Sequence, residues 1–238
     1  MAAFALARDF DAAAAAALFR EHGRLQIPDF LSRESAQALL GELQGSKAWR
    51  LTANRGDQVI DFRPEVLAAF GEAEWAKLDK AVTMGGRYAF QFRYEAIRLS
   101  ADAEAAKAEA PLLADFAGFM SSPDLLAAMR TLTGAGDIAF ADAHASRYTA
   151  GHFLAAHDDR ADTMGRRAAY VLNLTPHWRP DWGGLLLFHD ADGNIVRGFT
   201  PGFNSLNLFR VPQTHSVSWV TPLAAEPRYA VTGWLRAR

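Results

Sequence analysis

The 238-residue chain contains no cysteine. That one absence removes disulfides, zinc–thiolate sites, iron–sulfur clusters and thiol nucleophiles, and it suits a reducing, cytoplasmic setting. A basic excess is missing as well. The formal net charge is −2, from 25 lysines and arginines against 27 acids, so a nucleic-acid partner is not expected. No apolar run approaches the ~20 residues that a membrane span needs. The stretch DAAAAAALF is alanine-rich but short, and Asp9 and Asp11 stand where a signal peptide would carry basic residues. It reads as the start of an amphipathic helix in a soluble protein with no membrane role. Internal repeats, low-complexity linkers and a compositional break between domains are also lacking, so one domain over 1–238 is expected.

What is present falls into two textures. Residues 1–135 mix helical and strand-like stretches. The alanine-rich helix ends at Gly23, and SRESAQALLGEL starts a second helix at Ser32 with Glu34 and Gln37 close behind. RPEVLAAF, EAEWAKLDKAV, ADAEAAKAEA, PLLADFAGFM and SPDLLAAMRTLTG also have helical spacing. LQIPDFL, WRLTANR and YAFQFRYEAIRL read as strands. From Asp137 onward the helical signals stop. IAFADAHASRYTAG, HFLAAHD, RAAYVLNLTP, GGLLLFHD, NIVRGFTP, SLNLFRV, HSVSWV and RYAVTGWLRA are strand-like, and ADGN reads as a tight hairpin turn. The expected fold is mainly β with α: a jelly-roll (double-stranded β-helix) core over 136–238, supported by an N-terminal helical and strand layer over 1–135.

The stretch HFLAAHDDRAD holds two histidines and three acids. It reads either as a charged loop leaving a strand or as the first ligands of a metal site. Side chains alternate along a strand, so His157 and Asp159 share a face if the strand continues that far. His215, in VPQTHSVSWV, is the candidate third ligand. Two histidines and one carboxylate form the facial triad of non-haem Fe(II) oxygenases, which keeps coordination positions open; zinc more often takes a tetrahedral site. Arg228 opens the last strand-like run. Inside a barrel a guanidinium needs a partner, and the far carboxylate of 2-oxoglutarate would be a bidentate one. Alternation places Thr232 on the same face as Arg228.

The order of HxD, a distant His, and Arg within RYAVTGW resembles the Fe(II)/2-oxoglutarate dioxygenases. Tyr148 with GHFL, AYVLNLTPHW, WGGLLLF and PGFNSLNLFRVPQTHSV extend the likeness to the prolyl hydroxylase branch. They are similar to the ribosomal-protein prolyl hydroxylases and their bacterial relatives. The resemblance covers about residues 136–238, and the N-terminal part by general plan. It implies Fe(II) on His157, Asp159 and His215, with Arg228 on the distal carboxylate of 2-oxoglutarate. It places Tyr148 in the co-substrate pocket. Asn173 stands where relatives commonly carry a tyrosine that hydrogen-bonds the same carboxylate. The eukaryotic ribosomal enzymes also carry a second, non-catalytic barrel, for which this chain has no room.

The resemblance implies hydroxylation of an unactivated C–H bond, with O2 as oxidant, succinate and CO2 as co-products and ascorbate as a candidate reductant. A prolyl residue of a protein or peptide is the expected target. A free amino acid or other small molecule is the alternative, and a non-catalytic cupin-like metal-binding module is the alternative of another class. The presence of Asp159 favours hydroxylation over halogenation. Arg166 and Arg167, in the loop after the HxD strand, are candidate substrate contacts. Asp158 and Asp162 read as loop acids, and His152 as a residue of the opposite face. His189 has the wrong spacing, and His144 and His177 lack a partner pattern. Trp178, Trp182 and Trp219 read as core or rim packing. The Gly183–Gly184 pair reads as a close approach between strands.

Overall fold

A computed structural model describes residues 4–6, 11–160 and 163–238; Asp9 and Asp162 lie outside the described residues. The chain begins with α1 (Ala12–His22), whose first turn is capped by the Asp11 carboxylate accepting from the amides of Ala13 and Ala14. Gly23 ends it at φ 67°. Then come β1 (Arg24–Ile27), α2 (Arg33–Gly45) capped by Ser32, and the hairpin β2 (Arg50–Arg55) and β3 (Gln58–Phe62). They are followed by α3 (Pro64–Ala68), α4 (Glu72–Tyr88), β4 (Phe92–Arg98), α5 (Ala103–Glu109), α6 (Pro111–Met120) and α7 (Pro123–Thr133). The C-terminal part holds β5 (Phe140–Ala141), β6 (His144–Tyr148), β7 (Phe153–His157), β8 (Arg166–Asn173), β9 (Leu186–His189), β10 (Ile195–Phe199), β11 (Ser205–Arg210), β12 (His215–Val217) and β13 (Arg228–Arg236).

The strands pair antiparallel in the order β1-β11-β8-β13-β6-β4-β7-β12-β9-β10, with the β2–β3 hairpin attached to β4 and β5 to β13. The result is a nearly closed barrel of the jelly-roll kind, as expected. β4 carries the closure, because it pairs with β6 on one side and β7 on the other. The N-terminal half thus supplies strands to the barrel in addition to helices.

Period-two alternation separates the two faces of the longest strands. On one face Tyr170 and Leu172 of β8, Leu206 and Leu208 of β11, and Val231 and Leu235 of β13 join one buried cluster with the helices. Phe19 of α1, Leu39 and Leu43 of α2, Phe116 and Met120 of α6, and Leu125 and Met129 of α7 complete it. Each such side chain contributes ~1.5–3 kcal/mol by leaving water. The other face, with Ala169, Val171, Phe209, Thr232 and Trp234, looks into the barrel.

Four local expectations need correction. Tyr88 closes α4 instead of opening a strand, and β4 starts only at Phe92. The strand expected over LQIPDFL stops at Ile27, because Pro28 follows and Asp29 takes φ 47°. The run from Ile138 breaks between β5 and β6. β3 has no counterpart among the expected strands: it is short and half exposed, so its alternation is faint, while Gly56 at φ 59° permits the two-residue turn that creates it. The ADGN turn is present, with the Asp190 amide donating to the Asn194 carbonyl. Among the described residues no helix is long and apolar enough to cross a membrane.

Candidate active site

His157 ends β7 and His215 begins β12, and the antiparallel register sets them directly opposite each other. Their ring centroids are 4.2 Å apart. The imidazoles are oriented in the same way. Nδ1 of His157 lies 3.0 Å from the carbonyl of Ala155, and Nδ1 of His215 lies 2.8 Å from that of Gln213. With the Nδ1 proton on those carbonyls, each Nε2 is left as a lone-pair donor.

Asp159 reaches this pair by a route other than strand alternation. β7 stops at His157, and Asp159 sits two residues further on at φ 60°, in the left-handed region. The turn swings its carboxylate back. Oδ1 is 3.4 Å from His157 Nε2, Oδ2 is 3.6 Å from His215 Nε2, and Trp234 Nε1 donates to Oδ2 at 2.9 Å. Burial pushes this carboxyl up, but His157, His215 and Trp234 outweigh it and hold it at about 2. Burial, followed by the charge of His157, lowers His215 to about 4. An ionised carboxylate and imidazole lone pairs therefore converge within 4.8 Å of one another.

A cavity of about 330 Å³ opens from this trio into the barrel. Phe92, Leu154, Val171, Leu186, Phe209 and Val217 give it apolar walls. Arg228 also lines it and is 2% exposed. Nη2 of Arg228 donates to Asn173 Oδ1 at 3.2 Å, its Nε has no hydrogen-bond partner, and its Cζ lies 5.2 Å from the centre of the Tyr148 ring. Among the described residues it makes no ion pair. Tyr148 lines the cavity and stacks on Tyr94, with centroids 5.1 Å apart; burial raises its phenol well above the ordinary range. Thr232 lines the cavity too, but its hydroxyl donates to the Tyr170 carbonyl at 2.9 Å.

The other expected site residues fall in unequal places. Asn173 is buried behind Arg228, and its amide nitrogen donates to the Ser205 carbonyl at 3.2 Å. Its oxygen supports the arginine, and it is not among the cavity-lining residues. Arg166 lies at the start of β8, not in a loop. Its Nη1 donates to the Asp159 carbonyl at 3.0 Å, and its guanidinium covers the Trp234 ring. Arg167 points elsewhere, to an exposed bidentate pair with Asp137. His152 is buried away from the trio and accepts from the Thr149 amide. Asp158 caps the Arg160 amide, His189 bonds Ser216, and His177 is exposed. Trp178 donates to the Gly183 carbonyl and packs edge-on against Trp182, whereas Trp219 is 49% exposed and stacks on Phe153 at the rim.

Sequence reasoning missed the N-terminal wall of the cavity: Val59, Phe90, Phe92, Tyr94 and Arg98. Phe92, Tyr94 and Arg98 recur with period two along β4, which is the signal that could have found them. His144, without a partner pattern in the sequence, also lines the cavity. Two imidazole nitrogens and one carboxylate suit Fe(II) with open positions. Across the cavity, a buried guanidinium with an unpaired N–H suits an anionic co-substrate.

Comparison with known proteins agrees with this chemistry. The profile of the 2OG-Fe(II) oxygenase superfamily matches residues 143–236. Prolyl 3-hydroxylase OGFOD1 of Mus musculus is 36% identical over 101 residues, which is 39% of this chain and 18% of that protein. The chain thus spans about a fifth of the length of that relative. A prolyl-4-hydroxylase of Pseudomonas putida superposes with a TM-score of 0.61 at 21% identity, covering 96% of this chain and 100% of that one. A prolyl hydroxylase of Trichoplax adhaerens, solved with a hypoxia inducible factor peptide fragment, gives 0.59 at 15% identity over 94% and 87% of the two chains. Residues 143–236 thus carry a likeness to the 2OG-Fe(II) oxygenase superfamily, and the chain shares its fold with these prolyl hydroxylase structures.

Proposed function

We propose that this protein is an Fe(II)- and 2-oxoglutarate-dependent dioxygenase that hydroxylates a prolyl residue of a protein or peptide. The observation that carries the reading is the facing pair of groups: a converged His157–Asp159–His215 donor set, and Arg228 buried across one cavity with an unpaired Nε. In this reading the trio holds Fe(II), and Arg228 binds the far carboxylate of 2-oxoglutarate beside Tyr148 and Thr232. Asn173 braces the arginine from behind. When bound, the iron supplies O2 activation coupled to decarboxylation of 2-oxoglutarate, giving succinate, CO2 and a hydroxylated carbon.

The protein's own part is positioning and shielding. Backbone carbonyls at Ala155 and Gln213 set the imidazole tautomers. The apolar walls keep bulk water away, which strengthens the guanidinium–carboxylate attraction. We read residues 1–238 as one domain, because helices and sheet share one continuous core. The absence of cysteine and the charge of −2 support a cytoplasmic protein that acts on neither nucleic acid nor membrane. The peptide target is supported by the prolyl hydroxylase likeness.

The test is succinate formation from 2-oxoglutarate with and without Fe(II), for wild type and Asp159→Ala. Iron-dependent succinate from wild type alone supports the reading; equal inertness of the two overturns it. Mass spectrometry of cell extract treated with the enzyme then seeks a single added oxygen. Its appearance on proline within proteins supports the target, and its appearance only on free amino acids or other metabolites overturns that part.

A further inference from the structure

Trp234 and Arg166 form a unit with Asp159 that metal ligation alone does not require. The indole Nε1 donates to Oδ2 of Asp159 at 2.9 Å. The Arg166 guanidinium lies over the same indole, its Cζ 3.8 Å from the ring centre. From there Nη1 donates to the Asp159 backbone carbonyl at 3.0 Å and stands 3.7 Å from Oδ1. Both residues sit on adjacent, paired strands: Trp234 of β13 faces Ala169 of β8, the strand that Arg166 begins. A carboxylate in the loop after β7 is thus pinned to the rigid sheet at its backbone and at one oxygen. Asp159 has need of such support, because its φ of 60° is one that L residues rarely adopt.

We propose that Trp234, held in place by Arg166, is a positioning residue that occupies Oδ2 and leaves Oδ1 as the oxygen Asp159 offers to the metal. The proposal rests on the reading of His157, Asp159 and His215 as metal ligands. A carboxylate can bind a metal through one oxygen or two, and an indole N–H on one of them favours the first mode. With one oxygen from Asp159, the three residues would supply three donor atoms and would leave three positions of a six-coordinate ion open. A second oxygen would close one of the positions needed by 2-oxoglutarate and O2. Arg166, the candidate substrate contact of the sequence, lines the cavity and also braces the indole plane and the left-handed backbone.

The test is titration of the purified, metal-free protein with Mn(II), together with the absorption spectrum of its Co(II) form. Trp234→Phe keeps a ring beneath Arg166 and removes only the N–H. It is expected to bind Mn(II) about 10- to 100-fold more weakly, in the range for lost partners of metal ligands. Its Co(II) spectrum should shift while its circular dichroism without metal stays that of the folded wild type. Arg166→Met should weaken Mn(II) in the same direction, and it serves as the second variant if Trp234→Phe fails to fold. Wild-type Mn(II) affinity and an unchanged Co(II) spectrum in a folded variant overturn the proposal. Asp159→Ala separates the two failures. If it too binds Mn(II) like wild type, the ligand reading itself falls. If it alone loses binding, only the role of Trp234 and Arg166 does.

Discussion

Arg228 and Asn173 are joined by a single hydrogen bond, Nη2 to Oδ1 at 3.2 Å, in the interior of the barrel. The amide is neutral, so the guanidinium keeps its charge uncompensated, and burial lowers its pKa. An amide standing in for a tyrosine would be expected to donate to the co-substrate. Instead the amide nitrogen is engaged by Ser205 and its oxygen supports the arginine.

That geometry makes the identity of residue 173 decisive for anion binding. Asn173→Asp would place a carboxylate against Arg228 and satisfy it internally. 2-Oxoglutarate affinity should then fall roughly tenfold or more, ~1.4 kcal/mol, with the folded state intact. Arg228→Ala should weaken the same ligand by ~2–5 kcal/mol. Calorimetric titration with 2-oxoglutarate in the presence of Mn(II) measures both, and unchanged affinity in both variants would remove Arg228 from the pocket chemistry.

Gly183 and Gly193 both have positive φ but differ in surroundings. A Cβ at Gly183 would lie 1.9 Å from the Trp219 carbonyl oxygen, at φ 71° and ψ −148°. At Gly193, φ 84°, it would meet nothing within 4 Å. Gly193→Ala should cost only the left-handed penalty, ~1–2 kcal/mol. Gly183→Ala adds a backbone collision with the Trp219 carbonyl and should cost ~3 kcal/mol or more. Chemical denaturation of the two variants measures the gap, and equal midpoints would count against the close approach.

Acid should destabilise the metal-free protein well above the carboxylate range. Burial is the first cause lowering both His144 and His152, from an ordinary 6.5 to about 4. Between those values the unfolded chain binds protons that the folded one refuses, so stability falls as pH drops from about 6.5 towards 4. Each histidine contributes a slope of up to ~1.4 kcal/mol per pH unit in that window. The slope should flatten in His152→Gln, read from denaturation midpoints at pH 7 and pH 5. A wild-type midpoint independent of pH over that interval would contradict the buried, neutral assignment.

Phe116 tests the junction between helices and barrel. It is fully buried in α6 and sits edge-on to Tyr170 of β8, with centroids 6.4 Å apart. Phe116→Ala should cost ~3–5 kcal/mol. If helices and barrel form one cooperative unit, far-ultraviolet and tryptophan signals should report one coincident transition at a lower midpoint. Separate transitions would show that the layers unfold independently.

Much of this arrangement was legible in the chain, and the remainder was hidden for identifiable reasons. Alternation exposed the strands of the C-terminal part, and HxD with His215 and Arg228 exposed the candidate metal ligands and the buried guanidinium of the cavity. The wall made by Phe92, Tyr94 and Arg98 was hidden, because β4 reaches the site only by closing the barrel between β6 and β7. Arg166 and Arg167 are neighbours in sequence, yet strand alternation sends one to Asp159 and the other to an exposed pair with Asp137.

By itself the sequence determined the residue types and their periodicity, and with them the fold class, the ligand candidates and the need of a buried arginine for an anion. Those depend on local chemistry and on which face of a strand a side chain occupies. Only the tertiary structure decided that His157 and His215 lie opposite each other, that Asp159 arrives through a left-handed turn, and that Trp234 and Arg166 hold it there. Those are consequences of strand register and barrel closure, which join residues far apart in the chain and leave no mark in the spacing of either one.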